Sequence, residues 1–548
     1  MADNGRNGSD GTLGLASLQD LDDEVEVSTS PINLHTLLDI EDFSGRVVGG
    51  YNTGIAEKGL PADVGVARSL VGPGTGALRD FSYIAPEIPE FIEENCVGCM
   101  DCVTQCPDTA ILGKIATRED LDNALSKVTD PEQEAFLRKQ FAETSKYHKN
   151  FEKKGKEGAL FGIFIDPTKC KGCAECVEVC GDRDALKMIT KTEENLEDFR
   201  TAWDFYNEMP ESPREYLIEK SVQDVMLAGE SLLYVGGAGS CMGCGEATAL
   251  RMMLAATGYI HGPENIGLVA STGCNTVYTS TYPYNPYTVP WTNSLFENGP
   301  TDAMGVRARW DQMGWEDKKI WVIGGDGAML DIGFQALSRM MMSGMDINVI
   351  VLDTQVYSNT GGQASTSSYM GQNTKMSVHG TAVPGKTERR KELGQICMMH
   401  PDVYVAQTIT TLPNHFYRAI TSANEYEGPA VINVFTTCQP EHGVADHLAA
   451  HQAKLAMESR AFPIFIYDPR EGPRIKDRLS LRGNPAVKDD WYTIRKTGET
   501  IDFVHFARTE GRFAKHFDAE GNPSETLLAA QEDRLENWRM LQEMAGII

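Results

Sequence analysis

The chain lacks the features that would place it in a membrane, on a secretory route or on nucleic acid. Its longest apolar runs, such as 347–352, are strand-length and fall far short of the ~20 residues that span a bilayer. The opening residues, MADNGRNGSDG, have no apolar core behind a basic start, so they do not read as a secretory signal. Fifty Lys and Arg stand against 78 Asp and Glu, a formal net charge of −28. That balance argues against nucleic acid as a partner, since phosphate backbones require a basic face. The expected location is the cytoplasm. Nor is there a need for disulfide staples, since 548 residues suffice for two or three domain cores.

What the chain does have is 13 cysteines, and twelve of them fall into three groups. The first is Cys96-x2-Cys99-x2-Cys102-x3-Cys106-Pro107, and the second is Cys170-x2-Cys173-x2-Cys176-x3-Cys180. Three cysteines in a tight loop can aim at three corners of one iron–sulfur cubane. The fourth, beginning a helix, is carried to the other cluster. Cys96, Cys99, Cys102 and Cys180 are therefore expected to hold one [4Fe–4S] cluster, and Cys170, Cys173, Cys176 and Cys106 a second. Zinc sites also use Cys-x2-Cys pairs, but they need only four ligands and rarely repeat this triple run. Gly181 stands where proline follows the first run; proline there only shapes the turn, so the second cluster is still expected. Cys397, in ELGQICMMH, reads as an inert buried thiol.

Residues 1–30 are rich in Asp, Glu, Ser and Gly and read as a disordered or loosely docked acidic tail. Residues 31–90 read as a linker or packing segment. A Cys-rich α+β unit spans 91–190, interrupted by a polar insertion at 117–158 whose spaced Leu and Phe suggest two helices. From 230 to 464, short apolar strands (267–270, 320–323, 347–352, 403–406, 430–435) alternate with helical stretches such as 332–342 and 414–426. That alternation predicts an α/β domain with a parallel sheet covered on both faces. Residues 465–548 read as a C-terminal arm that packs on another surface and ends in a helix over 524–544.

Cys241-x2-Cys244 opens a predicted helix, and Cys274 and Cys438 each follow a predicted strand. In a parallel sheet all four converge on the carboxyl edge, which suggests a third [4Fe–4S] cluster. The same edge carries Gly324-Gly325-Asp326-Gly327 after one strand and DTQVYSNTGGQ (353–363) after the next. Alone, GGDG is equally an ordinary turn before a helix. With a carboxylate and hydroxyl and amide oxygens on the same edge, it suits a diphosphate and a Mg²⁺ ion.

The stretch from about 91 to 469 resembles the C-terminal part of pyruvate:ferredoxin oxidoreductase, a 2-oxoacid:ferredoxin oxidoreductase. The motifs that carry the resemblance are both cysteine runs, CMGCGE, STGC, NSLFE, GGDGAMLDIG, DTQVYSNTGGQ and FTTC. It implies a thiamine diphosphate-binding domain beside a ferredoxin-like domain with two [4Fe–4S] clusters. It implies that Cys241, Cys244, Cys274 and Cys438 hold the cluster nearest the thiamine, and that Asp326, the Thr354 side chain and the Val356 carbonyl bind Mg²⁺. Glu246, Cys274, Asp326, Gly327, Ala328, Met329, Thr354, Gln355, Val356, Tyr357, Ser358 and Asn359 would line the cofactor, with Asn359 near the reacting carbon. The implied reaction is oxidative decarboxylation of a 2-oxoacid to acyl-coenzyme A and CO2, or its reverse, with electrons leaving to ferredoxin. YSNTGGQ resembles the pyruvate branch; 2-oxoglutarate or another 2-oxoacid is the alternative. An electron-transfer subunit without thiamine chemistry is a further one, against which Asp326, Thr354 and Asn359 argue. The family's aminopyrimidine-activating glutamate and its substrate and coenzyme A contacts have no counterpart here. A second subunit is therefore expected to supply them, in an assembly doubled by two-fold symmetry.

Overall fold

The computed structural model describes residues 40–60, 70–377 and 385–548. The acidic tail expected at 1–30 lies outside the described residues.

The Cys-rich unit contains five strands: β1 (Glu87–Phe91), β2 (Ile111–Ala116), β3 (Phe141–Ala142), β4 (Leu160–Ile165) and β5 (Leu186–Thr190). β2, β4 and β3 form one antiparallel sheet, and β1 pairs antiparallel with β5. Each cysteine run bends through a left-handed residue, Met100 (φ 68°) or Ala174 (φ 64°), and then starts a short helix, Asp101–Gln105 or Glu175–Cys180. Those helices carry Cys102 and Cys176 inward, while Cys106 and Cys180 close the far end of each helix. Gly181 takes φ 55°, a backbone angle closed to proline, so this turn differs in shape from the one made by Pro107. The insertion holds the two expected helices, Arg118–Leu125 and Pro131–Lys139, opened by Thr117 and Asp130 caps. Leu121, Leu125 and Leu137 pack with Leu160, Phe164 and Phe205, so the insertion covers one flank of the small sheet.

The second unit is built on an eight-stranded sheet. Its strands are β6 (Ile266–Ser271), β7 (Trp291–Ser294), β8 (Lys319–Gly325), β9 (Asn348–Asp353), β10 (Tyr404–Ile409), β11 (Ala430–Phe435), β12 (Phe465–Tyr467) and β13 (Leu479–Ser480). The spatial order is β13-β12-β10-β11-β9-β8-β6-β7. Six strands from β7 to β10 run parallel, while β12 and β13 are antiparallel, so the sheet is mixed rather than wholly parallel. β12 and β13 also carry the sheet past residue 464, where the sequence suggested that a separate arm begins.

Along the central strands the side chains alternate between two cores. Leu268, Trp321, Ile323, Ile350, Leu352, Ile432 and Val434 face the helices Gly245–His261 and Pro413–Glu425. Val269, Ile320, Val322, Val349, Val351 and Val431 face Phe334–Met341, Leu393–Met398 and the C-terminal helix Glu525–Met544, which contributes Trp538 and Leu541. The C-terminal segment thus packs on the sheet of this same chain. Both faces are dry, which accounts for the near-continuous apolar strands.

Cys397 is fully buried in the second of these cores, among aliphatic and methionine side chains and with no other cysteine in that cluster. Cys397→Ala is expected to leave the iron content unchanged and to lower stability by about 1 kcal/mol, the scale of a small core truncation. Denaturant unfolding combined with an iron assay checks both; a loss of iron would make the thiol a ligand.

Candidate functional site

The chain runs from β6 to β7 at one edge and then returns to lay β8 on the other side of β6. This reversal opens a crevice at the carboxyl ends of the strands. The segments leaving β6, β8 and β9 enter it together. A cavity there is lined by Glu246, Thr272, Gly273, Cys274, Phe296, Gly325, Asp326, Gly327, Ala328, Thr354, Val356, Tyr357, Ser358, Asn359 and Thr360. Gly325 offers bare backbone to it, since an added Cβ would meet only Leu352 O at 3.8 Å. Gly327 has a different reason to be glycine: an added Cβ would lie 2.3 Å from the Tyr357 ring.

Three oxygens gather at the floor of this cavity. Thr354 Oγ1 lies 3.1 Å from Asp326 Oδ1 and 3.0 Å from the Val356 carbonyl, and Thr354 N–H donates to Asp326 Oδ1 at 3.2 Å. The other Asp326 oxygen accepts from Ser365 and, at 2.8 Å, from Ser367. Burial, and then the nearby Asp353 carboxylate, push Asp326 up to about 7. A divalent cation among these hard oxygens would relieve that, so the donor set fits Mg²⁺. Asp353 is itself buried and paired with Arg390.

Two expected lining residues do not reach the cavity. Met329 packs into the valine-rich core beneath the sheet. Gln355 takes a left-handed backbone (φ 57°) that turns its side chain under the loop, where it accepts from both terminal nitrogens of Arg512 at 3.1 Å. Thr272, Gly273, Phe296 and Thr360 also line the cavity, beyond the residues expected from the sequence. STGC and NSLFE contained most of them, and their positions on the strand-end loops were the available signal.

Each cysteine quartet surrounds its own cavity. Cys96, Cys99, Cys102 and Cys180 line one, and Cys106, Cys170, Cys173 and Cys176 line another, so the fourth cysteine of each run stands with the other run. Cys241, Cys244, Cys274 and Cys438 line a third, the roomiest at about 220 Å³. Among the described residues no three Cys, His, Asp or Glu converge closely enough to share a single ion. The thiols stand around a space, as a bulky cluster requires. Burial pushes Cys96 up to about 11 and Cys170 and Cys438 to about 12, with neighbouring cysteines adding to the rise. Thiolates in such positions need a positive group between them, and iron–sulfur clusters supply one.

The third quartet and the β-edge crevice share a wall. Glu246, Cys274, Thr354, Ser358 and Asn359 line both cavities. Asn359 is exposed at their common mouth, while Glu246 is buried with Oε2 unpartnered. Burial, followed by Asp326, pushes Glu246 up to about 8.

The mixed α/β sheet thus carries a Gly-rich, acid-bearing crevice at its switch point. Residues 271–434 match the family described as thiamine pyrophosphate enzyme, C-terminal TPP binding domain. The chain is 27% identical over 549 residues to the pyruvate-flavodoxin oxidoreductase of Rhodospirillum rubrum, covering 85% of this chain and 42% of that protein. It is 25% identical over 614 residues to its namesake from Nostoc sp., covering 96% and 47%. It is 27% identical over 550 residues to the pyruvate:ferredoxin oxidoreductase of Moorella thermoacetica, covering 84% and 42%. The chain is thus similar to members of the pyruvate:ferredoxin oxidoreductase family. It spans less than half the length of these relatives, each of which is a single longer chain. A separate second subunit is therefore not the arrangement they exemplify.

Proposed function

We propose that this chain is the thiamine- and cluster-bearing part of a pyruvate:ferredoxin oxidoreductase, converting pyruvate and coenzyme A to acetyl-coenzyme A and CO2, or the reverse. The observation that carries the reading is the wall shared by the crevice and the third cysteine quartet. A thiamine enzyme that only cleaves carbon bonds has no use for four thiols there; one that exports electrons does.

When bound, thiamine diphosphate supplies the carbon nucleophile and electron sink, and three [4Fe–4S] clusters supply one-electron relays. Asp326, Thr354 and the Val356 carbonyl would hold Mg²⁺, and the backbone from Gly325 to Ala328 would face the diphosphate. Asn359, at the common mouth, would meet the reacting end of the cofactor. Cys241, Cys244, Cys274 and Cys438 would hold the cluster beside it. The two remaining quartets form a ferredoxin-like domain, tied to the thiamine domain by Arg251, which donates to the carbonyls of Val103 and Cys106. The relatives' names support pyruvate as the acid and ferredoxin or flavodoxin as the electron carrier. Among the described residues no helix is long and apolar enough to cross a membrane.

The crevice presents the diphosphate half of a cofactor site. We infer that further polypeptide contributes the group that activates the aminopyrimidine, together with the contacts to substrate and coenzyme A. Positioned acid–base groups of that kind contribute typically 10²–10⁴-fold. Anaerobically purified protein is expected to contain about 12 iron atoms per chain, four per cluster. Assembled with that polypeptide, it should reduce a viologen dye with pyruvate and coenzyme A faster than with other 2-oxoacids. A fully loaded preparation with eight iron atoms would remove the third cluster, and preference for another acid would remove pyruvate.

A further inference from the structure

We propose that Lys171 is a positioning residue that locks the second cysteine quartet to the loop opening the third, its ammonium offsetting the Asp108 carboxylate beside that second quartet. The inference rests on the reading above, in which both quartets hold clusters.

Lys171 lies between two ligands of one quartet, in Cys170-Lys171-Gly172-Cys173, and is 5% exposed. A lysine in a short surface loop would normally extend into water. Here its Nζ turns inward and donates to four acceptors from two units of the molecule. Asp108 Oδ1 lies at 2.7 Å, Ala238 O at 2.9 Å, Ser240 O at 2.8 Å and Ser240 Oγ at 2.9 Å. Asp108, 2% exposed, stands two residues after Cys106, another member of the same quartet, and Ser240 Oγ also donates to it at 3.1 Å. Ser240 immediately precedes Cys241, the first cysteine of the third quartet. The ring of Phe81 closes one side of the ammonium, 5.0 Å from its centroid.

One side chain therefore connects the backbone beside Cys170 and Cys173, the carboxylate beside Cys106 and the carbonyl beside Cys241. Three protons shared among four acceptors leave none free, which makes the link directional and short. Its electrostatics matter as well. A buried carboxylate left without its partner is strongly disfavoured, and extra negative charge beside a cluster makes the cluster harder to reduce. The relay step involved is a single-electron transfer in which no bond forms or breaks. The electron originates in the 2-oxoacid and ends on the soluble carrier.

The test uses the full protein with its clusters, reduced with dithionite and followed by potentiometric electron paramagnetic resonance. Lys171→Met is expected to keep the iron content while weakening the magnetic interaction between the reduced clusters. The potential of the cluster held by Cys106, Cys170, Cys173 and Cys176 should shift to a lower value. Lys171→Met combined with Asp108→Asn should bring the potential back but not the interaction, which separates charge from geometry. An unchanged spectrum and potential in Lys171→Met would overturn the proposal, and so would loss of that cluster's iron, which would assign the lysine to folding. If Lys171→Met does not accumulate, Ser240→Ala removes one acceptor and keeps the charge. A weaker interaction at an unchanged potential would then support the lock, and an unchanged interaction would count against it. A wild-type protein without interacting [4Fe–4S] signals would sink the reading itself; wild-type signals with an indifferent Lys171→Met sink only the role of Lys171.

Discussion

Asp326→Asn is expected to empty the thiamine site and leave every iron atom in place. The carboxylate is 1% exposed, and each of its oxygens already has a defined task. Oδ1 meets Thr354 N and Oγ1, and Oδ2 meets the Ser365 and Ser367 hydroxyls. The amide keeps the shape and one acceptor but removes the only anion from a ligand set built for a hard cation. Losing even an outer partner of a metal site costs roughly 10–100-fold in affinity, and a direct anionic ligand should cost at least as much. Asp353 and Arg390 remain paired beneath it, so the fold should survive. Thiamine released from the desalted variant should fall to background while iron equals that of the parent. Retention of thiamine at the parent level would move the diphosphate elsewhere.

Cys106→Ser and Cys180→Ser should each damage the cluster nucleated by the opposite run. Cys180 stands with Cys96, Cys99 and Cys102, and Cys106 with Cys170, Cys173 and Cys176, because each short helix delivers its last cysteine across the unit. Serine keeps the volume and loses the soft sulfur donor, so four iron atoms per chain become labile. The two variants should lose different signals, distinguishable by potential. Loss of the same signal from both, or of the cluster of the mutated run, would overturn the crossed arrangement.

Much of the framework could be read from the chain itself, because burial on both faces of a sheet writes itself as uninterrupted aliphatic runs. The run at 430–435 is β11, and those at 267–270 and 320–323 are the centres of β6 and β8. β7 was not legible, since Trp291–Ser294 is a half-exposed edge strand in which a single Trp is followed by three polar residues. β12 and β13 are two or three residues long and draw their stability from their neighbours. At the site, cysteine spacing carried information because cluster geometry dictates spacing. Lys171, Asp108 and Ser240 carried none, being common polar residues that meet only through tertiary contact. Ser365, Ser367 and Arg390, which support Asp326 and Asp353, were silent for the same reason. Gln355 and Met329 were grouped with the cofactor by adjacency in a motif, whereas the left-handed turn at Gln355 and the core position of Met329 send both side chains away from it.

The contact between Gln355 and Arg512 bears on how the protein is made. The cofactor loop bends through an unfavourable backbone angle, and the guanidinium that braces it comes from a residue 157 positions later in the chain. Arg512 is held in turn by Glu510, close to His442, whose Nε2 lies 2.8 Å from the Thr354 carbonyl. On the ribosome, this turn therefore emerges long before its brace. Cofactor capture becomes a closing event of synthesis, and a nascent or prematurely terminated chain ending before Arg512 would present the crevice without a settled floor.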